Sequence, residues 1–263
     1  LYQEERIQAI LSHMAEYGRV NIGDICTLFE VSRDTARRDL VKMDELGLII
    51  RTHGGAVLPL KPKEIYPYKD RLTRESTGKI NIGRYAASLI EDGDTVILDA
   101  STTVQYAAER ITSLNVTAVT NSIDIADTLS GKDNVRTYLL GGELHPRHRF
   151  LYGPATIAKL AEYRADKLLL GAGAIAEEGL FFPYEDEGFV KREMIRRAKQ
   201  VILLADHTKF DKSMFFKIAD LEAVSLMITD LPPKPDMMNY LEQHQIELII
   251  VSEENTHDKN DSK

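Results

Sequence analysis

Apolar residues recur at helical spacing through the first quarter of the chain and in short unbroken runs through the rest, so two architectures are expected. Residues 3–17 place Ile7, Ile10, Leu11 and Met14 on one helical face, and Gly18 ends that helix. Asn21 follows as an N-cap, and Ile22, Ile25, Leu28 and Phe29 form a second apolar stripe. A short turn at 30–32 leads to a third helix over about 33–46, closed by Gly47. Residues 48–58, LIIRTHGGAVL, predict a β-hairpin turning at His53-Gly54-Gly55. Three short helices and a hairpin within about sixty residues describe a winged helix-turn-helix.

The pattern changes twice after that. Residues 59–78 hold three prolines, few core-type positions and a basic surplus, which predicts a linker with room for one short helix. From Lys79 onward, candidate strands at 95–99, 116–120, 135–140, 167–171, 201–206, 226–230 and 246–251 alternate with helical patterns. Those helices are expected at 80–90, 103–111, 122–130, 154–163, 186–199 and 235–244. Near-continuous apolar strands separated by helices predict a mostly parallel α/β sheet covered on both faces. The expected organisation is therefore a DNA-binding domain at 1–58, a linker at 59–78, an α/β domain at 79–252 and a polar, flexible tail at 253–263.

Composition narrows the setting. The 263 residues are 43% hydrophobic and 28% charged, as in globular proteins. The net charge of −8 says little about partners, because nucleic-acid binding depends on local patches. Cys26 is the single cysteine, so no internal disulfide can form, which suits a reducing cytosol. No apolar run approaches the ~20 residues needed to span a bilayer, and no signal-peptide pattern opens the chain. A cytoplasmic protein without membrane association is expected.

Against that acidic background, VSRDTARRDL at 31–40 concentrates three arginines. With Arg33 at 0° on the third helix, Arg37 falls near 40°, Arg38 near 140° and Lys42 near 180°. Ala36, Leu40, Met43 and Leu46 fall between about 220° and 340°, which is the core face. Ser32 can cap this helix, with Asp34 in its first turn. Such a helix offers basic side chains and backbone N–H groups to phosphates and base edges, with Arg51 and His53 on the wing. The competing account is a solvated face on which Arg38 pairs with Asp34.

In a parallel α/β sheet, ligands bind beyond the carboxyl ends of the strands. There the chain places Asp99 with Ser101, Thr102 and Thr103, then Asn121-Ser122, then Gly141-Gly142, then Gly171-Ala172-Gly173-Ala174, and lastly Asp206 with Lys209. Caps and turns explain each separately. Together on one rim they suit a phosphorylated sugar or polyol, anchored by charge and read through its hydroxyls.

Residues 31–57 resemble the signature of the DeoR family of bacterial sugar-operon regulators, through Val31, Ser32, Thr35, Arg37, Arg38, Asp39, Leu40, Gly47, Arg51, His53, Gly54, Gly55 and Ala56. Ala36 and Met43 depart from it, on the core face. The resemblance continues through Leu98–Thr103, Thr120–Ser122, Leu140–Gly142, Glu187 with Lys191, and Leu204–Asp206 with Lys209, covering about 3–252. It implies DNA contacts by Ser32, Arg33, Thr35, Arg37, Arg38, Lys42, Arg51 and His53. It also implies an effector domain similar in fold to ribose-5-phosphate isomerase. Effector roles follow for Arg71, Lys79, Asp99, Ser101, Thr102, Thr103, Lys191, Asp206 and Lys209, with a phosphorylated sugar as ligand and no cofactor. Arg71 stands where the family often carries lysine, and Gly173 where it often keeps aspartate.

A winged helix-turn-helix reads only a short half-site, so a homo-oligomer, dimer or tetramer, on double-stranded operator DNA is expected. Repression is the expected sign, although no residue encodes it. The rival reading is a sugar-phosphate isomerase-like enzyme carrying a DNA-binding module. It lacks an acid in the loop after 167–171, and nothing pairs Asp99 or Asp206 with a leaving proton. His145 and His148, near Glu143, could ligate a metal or touch the effector, but divalent sites need three or four convergent ligands, so no metal is expected.

Overall fold

A computed structural model describes residues 3–17, 19–45, 48–52, 54–57, 67–73 and 77–251. The expected helix ends at Gly18 and Gly47, together with Leu46, His53 and the tail at 253–263, lie outside the described residues, as do 59–66 and 74–76. The chain divides into two compact units, Leu1–Lys63 and Glu64–Lys263.

In the first unit the apolar stripes become α1 (Gln3–Tyr17), α2 (Ile22–Phe29) and α3 (Arg33–Glu45). Asn21 and Asp24 form a capping box that starts α2: Asp24 N–H donates to Asn21 Oδ1 at 2.8 Å, and Asn21 N–H donates to Asp24 Oδ2 at 3.2 Å. Ile10, Met14, Ile25, Ala36, Leu40 and Met43 are buried in one cluster. Full burial of such side chains contributes about 1.5–3 kcal/mol each for the larger ones. The hairpin forms as β2 (Ile50–Thr52) and β3 (Gly55–Val57). An unanticipated strand, β1 (Arg19–Asn21), pairs antiparallel with β3 and makes a three-stranded sheet in the order β1-β3-β2.

The larger unit opens inside the stretch expected to link the two. There α4 (Tyr68–Thr73) is anchored by the fully buried Tyr68, whose hydroxyl donates to Gln105 Oε1 and whose backbone N–H donates to the Arg147 carbonyl. After it come α5 (Thr77–Ser88), β4 (Thr95–Leu98), α6 (Thr102–Ala108), β5 (Val116–Thr120), α7 (Ile123–Ser130) and β6 (Val135–Leu139). A hairpin of β7 (Glu143–His145) and β8 (Phe150–Tyr152) precedes α8 (Pro154–Leu160) and β9 (Ala165–Gly171). The remaining elements are β10 (Ala174–Ala176), β11 (Gly179–Phe182), α9 (Glu185–Arg197), β12 (Ala198–Leu204), β13 (Phe216–Ala219), β14 (Leu226–Thr229), α10 (Pro235–Gln243) and β15 (Glu247–Ile250).

Seven strands form a parallel sheet in the order β15-β14-β12-β9-β4-β5-β6. Alternation along each strand divides the core. Val96, Leu98, Leu169, Ile202 and Leu204 face α5, α6 and α7. Ile97, Leu168, Leu170, Val201 and Leu203 face α8, α9, α10 and a separate antiparallel sheet, β10-β11-β13. From β4 the chain proceeds outward through β5 and β6, and from β9 it proceeds the other way. The strand order therefore reverses between β4 and β9, where a ligand crevice is expected.

A candidate DNA-reading helix and a candidate effector cleft

On α3 the Ser32 hydroxyl accepts from Thr35 N–H at 3.2 Å and lies 2.9 Å from the Thr35 hydroxyl. Arg33, Arg37, Arg38 and Lys42 are exposed while Ala36, Leu40 and Met43 are buried, as the wheel requires. Among the described residues no ion pair engages these four cations, so the Arg38–Asp34 pairing of a merely solvated face is not formed. Arg51 is exposed on β2, and His53 lies outside the described residues. Asp39, within the same Arg-Arg-Asp run, has a different place. It is fully buried and accepts from Arg6 Nε at 2.5 Å, Arg6 Nη2 at 3.0 Å and Gln3 Nε2 at 3.0 Å, which clamps α1 to α3. The Asp39 hydrogen bond raises the Arg6 pKa further, against the opposing effect of burial.

At the β4/β9 reversal the larger unit carries a cleft that opens to solvent. Ser101, Thr102 and Thr103 line it after β4, Gly171 and Ala172 at the end of β9, and Leu204, Ala205 and Asp206 at the end of β12. Arg71 from α4, Lys79 from α5, Lys191 from α9, Lys209 and Phe182 complete the lining. Ser101 accepts from Thr103 N–H at 3.3 Å and so caps α6 while facing the cleft. Gly171 must lack a side chain, because a Cβ there would come within 2.5 Å of Ser101 Cβ.

A buried ionic group lines and backs the cleft. Lys191 Nζ donates to Asp99 Oδ2 at 2.5 Å and lies 3.3 Å from Glu187 Oε1, and all three side chains are buried. Asp99 Oδ2 also accepts from Gly171 N–H at 3.0 Å, whereas its buried Oδ1 has no partner. Burial drives the Glu187 carboxyl up to about 7 despite the nearby Lys191. Lys191 Nζ also lies 4.7 Å from the centre of the Phe182 ring.

The cations of the rim strain against one another. Burial lowers the Lys209 pKa, Asp206 opposes this, and the charges of Lys79, Arg71 and Lys212 lower it further. Burial likewise pulls Arg71 down, against Glu187, Tyr68 and Asp99. Its Nε is buried without a hydrogen-bond partner, and its guanidinium lies 5.3 Å from the Tyr68 ring centre. Several desolvated cations from separate elements facing one cleft form a site that an anion would relieve.

Of the effector residues expected from sequence, Arg71, Lys79, Ser101, Thr102, Thr103, Lys191, Asp206 and Lys209 line this cleft, and Asp99 lies directly behind it. Asn121, Ser122, Gly141 and Gly142 do not line it. They follow β5 and β6, on the far side of β4 from the reversal; Asn121 and Ser122 are buried there, and Gly141 and Gly142 are exposed. Asn121 Nδ2 donates to the Leu151 carbonyl at 3.1 Å, Ser122 caps α7 through Ile125 N–H, and the Thr156 hydroxyl donates to the Gly141 carbonyl at 2.6 Å. Gly142 packs against Thr156. Phe182 was not among the expected residues, since nothing in its strand distinguishes it from core.

The His145 and His148 rings lie with centres 4.7 Å apart, tilted at 47°, and His145 Nδ1 accepts from His148 N–H at 3.3 Å. Burial first, then Arg71, His145 and Arg147, hold the His148 pKa down to about 4. Among the described residues no group of three or more His, Cys, Asp or Glu side chains converges as a metal site requires. Among them, too, no helix is long and apolar enough to cross a membrane.

Known proteins resemble both units. Residues 6–61 match the DeoR-like helix-turn-helix domain, and residues 74–231 match the DeoR C terminal sensor domain. The chain is 49% identical over 254 residues to the HTH-type transcriptional repressor GlcR of Bacillus subtilis, covering 97% of this chain and 98% of that one. It is 33% identical over 248 residues to the glycerol-3-phosphate regulon repressor of Escherichia coli, covering 94% and 98%. Among solved structures it is similar to ribose 5-phosphate isomerase from Plasmodium falciparum, with a TM-score of 0.37 and 16% identity over 50% of this chain and 52% of that one. Full-length identity to named repressors, together with both domain matches, decides between regulator and enzyme. The chain belongs to the DeoR family and is a helix-turn-helix transcriptional regulator of sugar metabolism, not an enzyme.

Proposed function

We propose that this cytoplasmic regulator represses a carbohydrate-catabolic operon and is released from it by a phosphorylated sugar. Ser32, Arg33, Thr35, Arg37, Arg38 and Lys42 on α3, with Arg51 and His53 of the wing, grip double-stranded operator DNA. A dimer or tetramer presents paired helices to paired half-sites. The phosphate is held by Lys79, Lys209 and Arg71 with the hydroxyls of Ser101, Thr102 and Thr103, while Asp99 and Asp206 accept from sugar hydroxyls. The observation that carries this reading is the cation-rimmed cleft at the strand-order reversal, with an unpartnered buried oxygen of Asp99 behind it.

Arg71 and Lys79 sit on α4 and α5, the first helices of the larger unit. A ligand that closes on them alters the elements nearest the chain's exit from the DNA-binding unit. Release then requires the ligand to favour the state that binds operator poorly.

Selection of genomic DNA fragments on the purified protein, followed by fluorescence anisotropy with a panel of sugar phosphates, tests the reading. At least one fragment should bind tightly and be released by one member of the panel. Failure to select any fragment removes the DNA assignment. Indifference of a bound fragment to the whole panel removes the effector assignment.

A further inference from the structure

The cations that converge on the cleft sit on separate elements, so their spacing depends on what holds those elements together. Lys209 ends a short 3-10 turn, His207–Lys209, that follows β12, and Lys79 lies in the first turn of α5. These segments are far apart in sequence, and one carboxylate touches both. Asp230 follows β14, the neighbour of β12 in the sheet. Its Oδ1 accepts from His207 N–H at 2.7 Å, and its Oδ2 lies 2.8 Å from His207 Nδ1. Asp230 also abuts Gly78: a Cβ built there would collide with the carboxylate, 2.9 Å from Asp230 Cγ. Glycine at 78 thus lets the first turn of α5 settle against Asp230 and carries Lys79 into the cleft.

The turn is also secured from within. Asp206 Oδ1 accepts from Thr208 N–H at 3.0 Å and from the Thr208 hydroxyl, and Lys209 N–H donates to the Asp206 carbonyl at 3.0 Å. Those bonds shape the turn but do not join it to another element. The bonds to Asp230 do. Asp230 itself does not line the cleft.

We propose that Asp230 is a positioning residue for anion recognition, a carboxylate outside the cleft that docks the His207–Lys209 turn and the first turn of α5 so that Lys209 and Lys79 meet the same phosphate. The inference rests on the effector cleft proposed above, and it adds a residue that acts on the ligand only through others. Removing it leaves every cleft side chain present but loosens their spacing, which weakens capture of a multiply coordinated anion.

Calorimetric titration of the full chain with inorganic phosphate, glycerol 3-phosphate and glucose 6-phosphate tests it. The variants are Asp230→Asn, His207→Ala and the double variant, with thermal unfolding recorded for each. The tightest phosphate ligand of the wild type should bind each single variant at least about fivefold more weakly, and the double variant no more weakly than the worse single, because the two residues act as one unit. Cooperative unfolding should persist. Undiminished binding by Asp230→Asn overturns the proposal. A loss in Asp230→Asn with none in His207→Ala assigns the docking to the His207 backbone N–H, which that variant keeps; a loss in neither overturns it. If Asp230→Asn does not fold, Gly78→Ala carries the test, since it keeps the carboxylate and displaces the turn that bears Lys79. Unchanged affinity there is equally fatal. If wild type binds none of the three compounds while Lys209→Ala behaves identically, the effector cleft itself is wrong, and this inference falls with it.

Discussion

Lys191 Nζ lies 2.5 Å from Asp99 Oδ2, with both side chains buried and Glu187 3.3 Å away on the other side of the ammonium. The pair joins the end of β4 to α9 across the strand-order reversal. Replacing Lys191 by methionine keeps the volume and strands two carboxyl groups without their cation. We expect a loss of about 3–5 kcal/mol in unfolding free energy by denaturant titration. Adding Asp99→Asn to the same chain should recover part of it.

Arg37 and Arg38 are exposed, whereas Asp39 beside them is buried against Arg6. Arg37→Ala or Arg38→Ala should therefore cost ~1–3 kcal/mol of operator binding with the unfolding transition unchanged. Each should also flatten the salt dependence of binding. Asp39→Ala should lose binding together with the stability of the small unit. Anisotropy titrations paired with thermal melts separate the two outcomes.

Lys209 is a desolvated cation on the rim of the cleft. Lys209→Ala should leave operator affinity intact and raise the sugar-phosphate concentration needed for release. Retention of the full wild-type response would count against the cleft as the effector site.

His148 titrates near 4 in the folded chain and near 6.5 when unfolded. Between those values the unfolded chain takes up the extra proton, so the contribution of neutral His148 is complete above about pH 6.5 and is lost as the pH falls toward 4. Glu187 runs the other way. Its folded pKa of about 7 exceeds the ordinary 4.5, so stability declines as the pH rises through that interval. As the pH falls from 7 to 4, the melting temperature of wild type should drop relative to that of His148→Phe. The Glu187 slope is common to both proteins and cancels in the difference.

Periodicity alone was enough to read the two-part architecture, the seven strands of the main sheet and the exposed face of α3. Each depends on which residues avoid water along a single element, and that information is local. The three-residue strands β1, β7, β8 and β10 were not legible, because so short a segment carries too little alternation, whereas the equally short β2 and β3 were announced by the Gly54-Gly55 turn between them. Strand β11 pairs with β13 about 35 residues later, a partnership that no local pattern announces.

The sequence by itself determined that hydroxyls, glycines and charge would gather at the carboxyl ends of the strands. It could not decide which of those ends share a cleft. Strand order does that: β4, β9 and β12 lie side by side and bring Ser101, Gly171 and Asp206 together, while the ends of β5 and β6 lie on the far side of β4. Tertiary packing likewise decided the fates of adjacent charges. Asp39 became a buried clamp and Arg38 an exposed cation, because helical geometry turned one toward α1 and the other toward solvent.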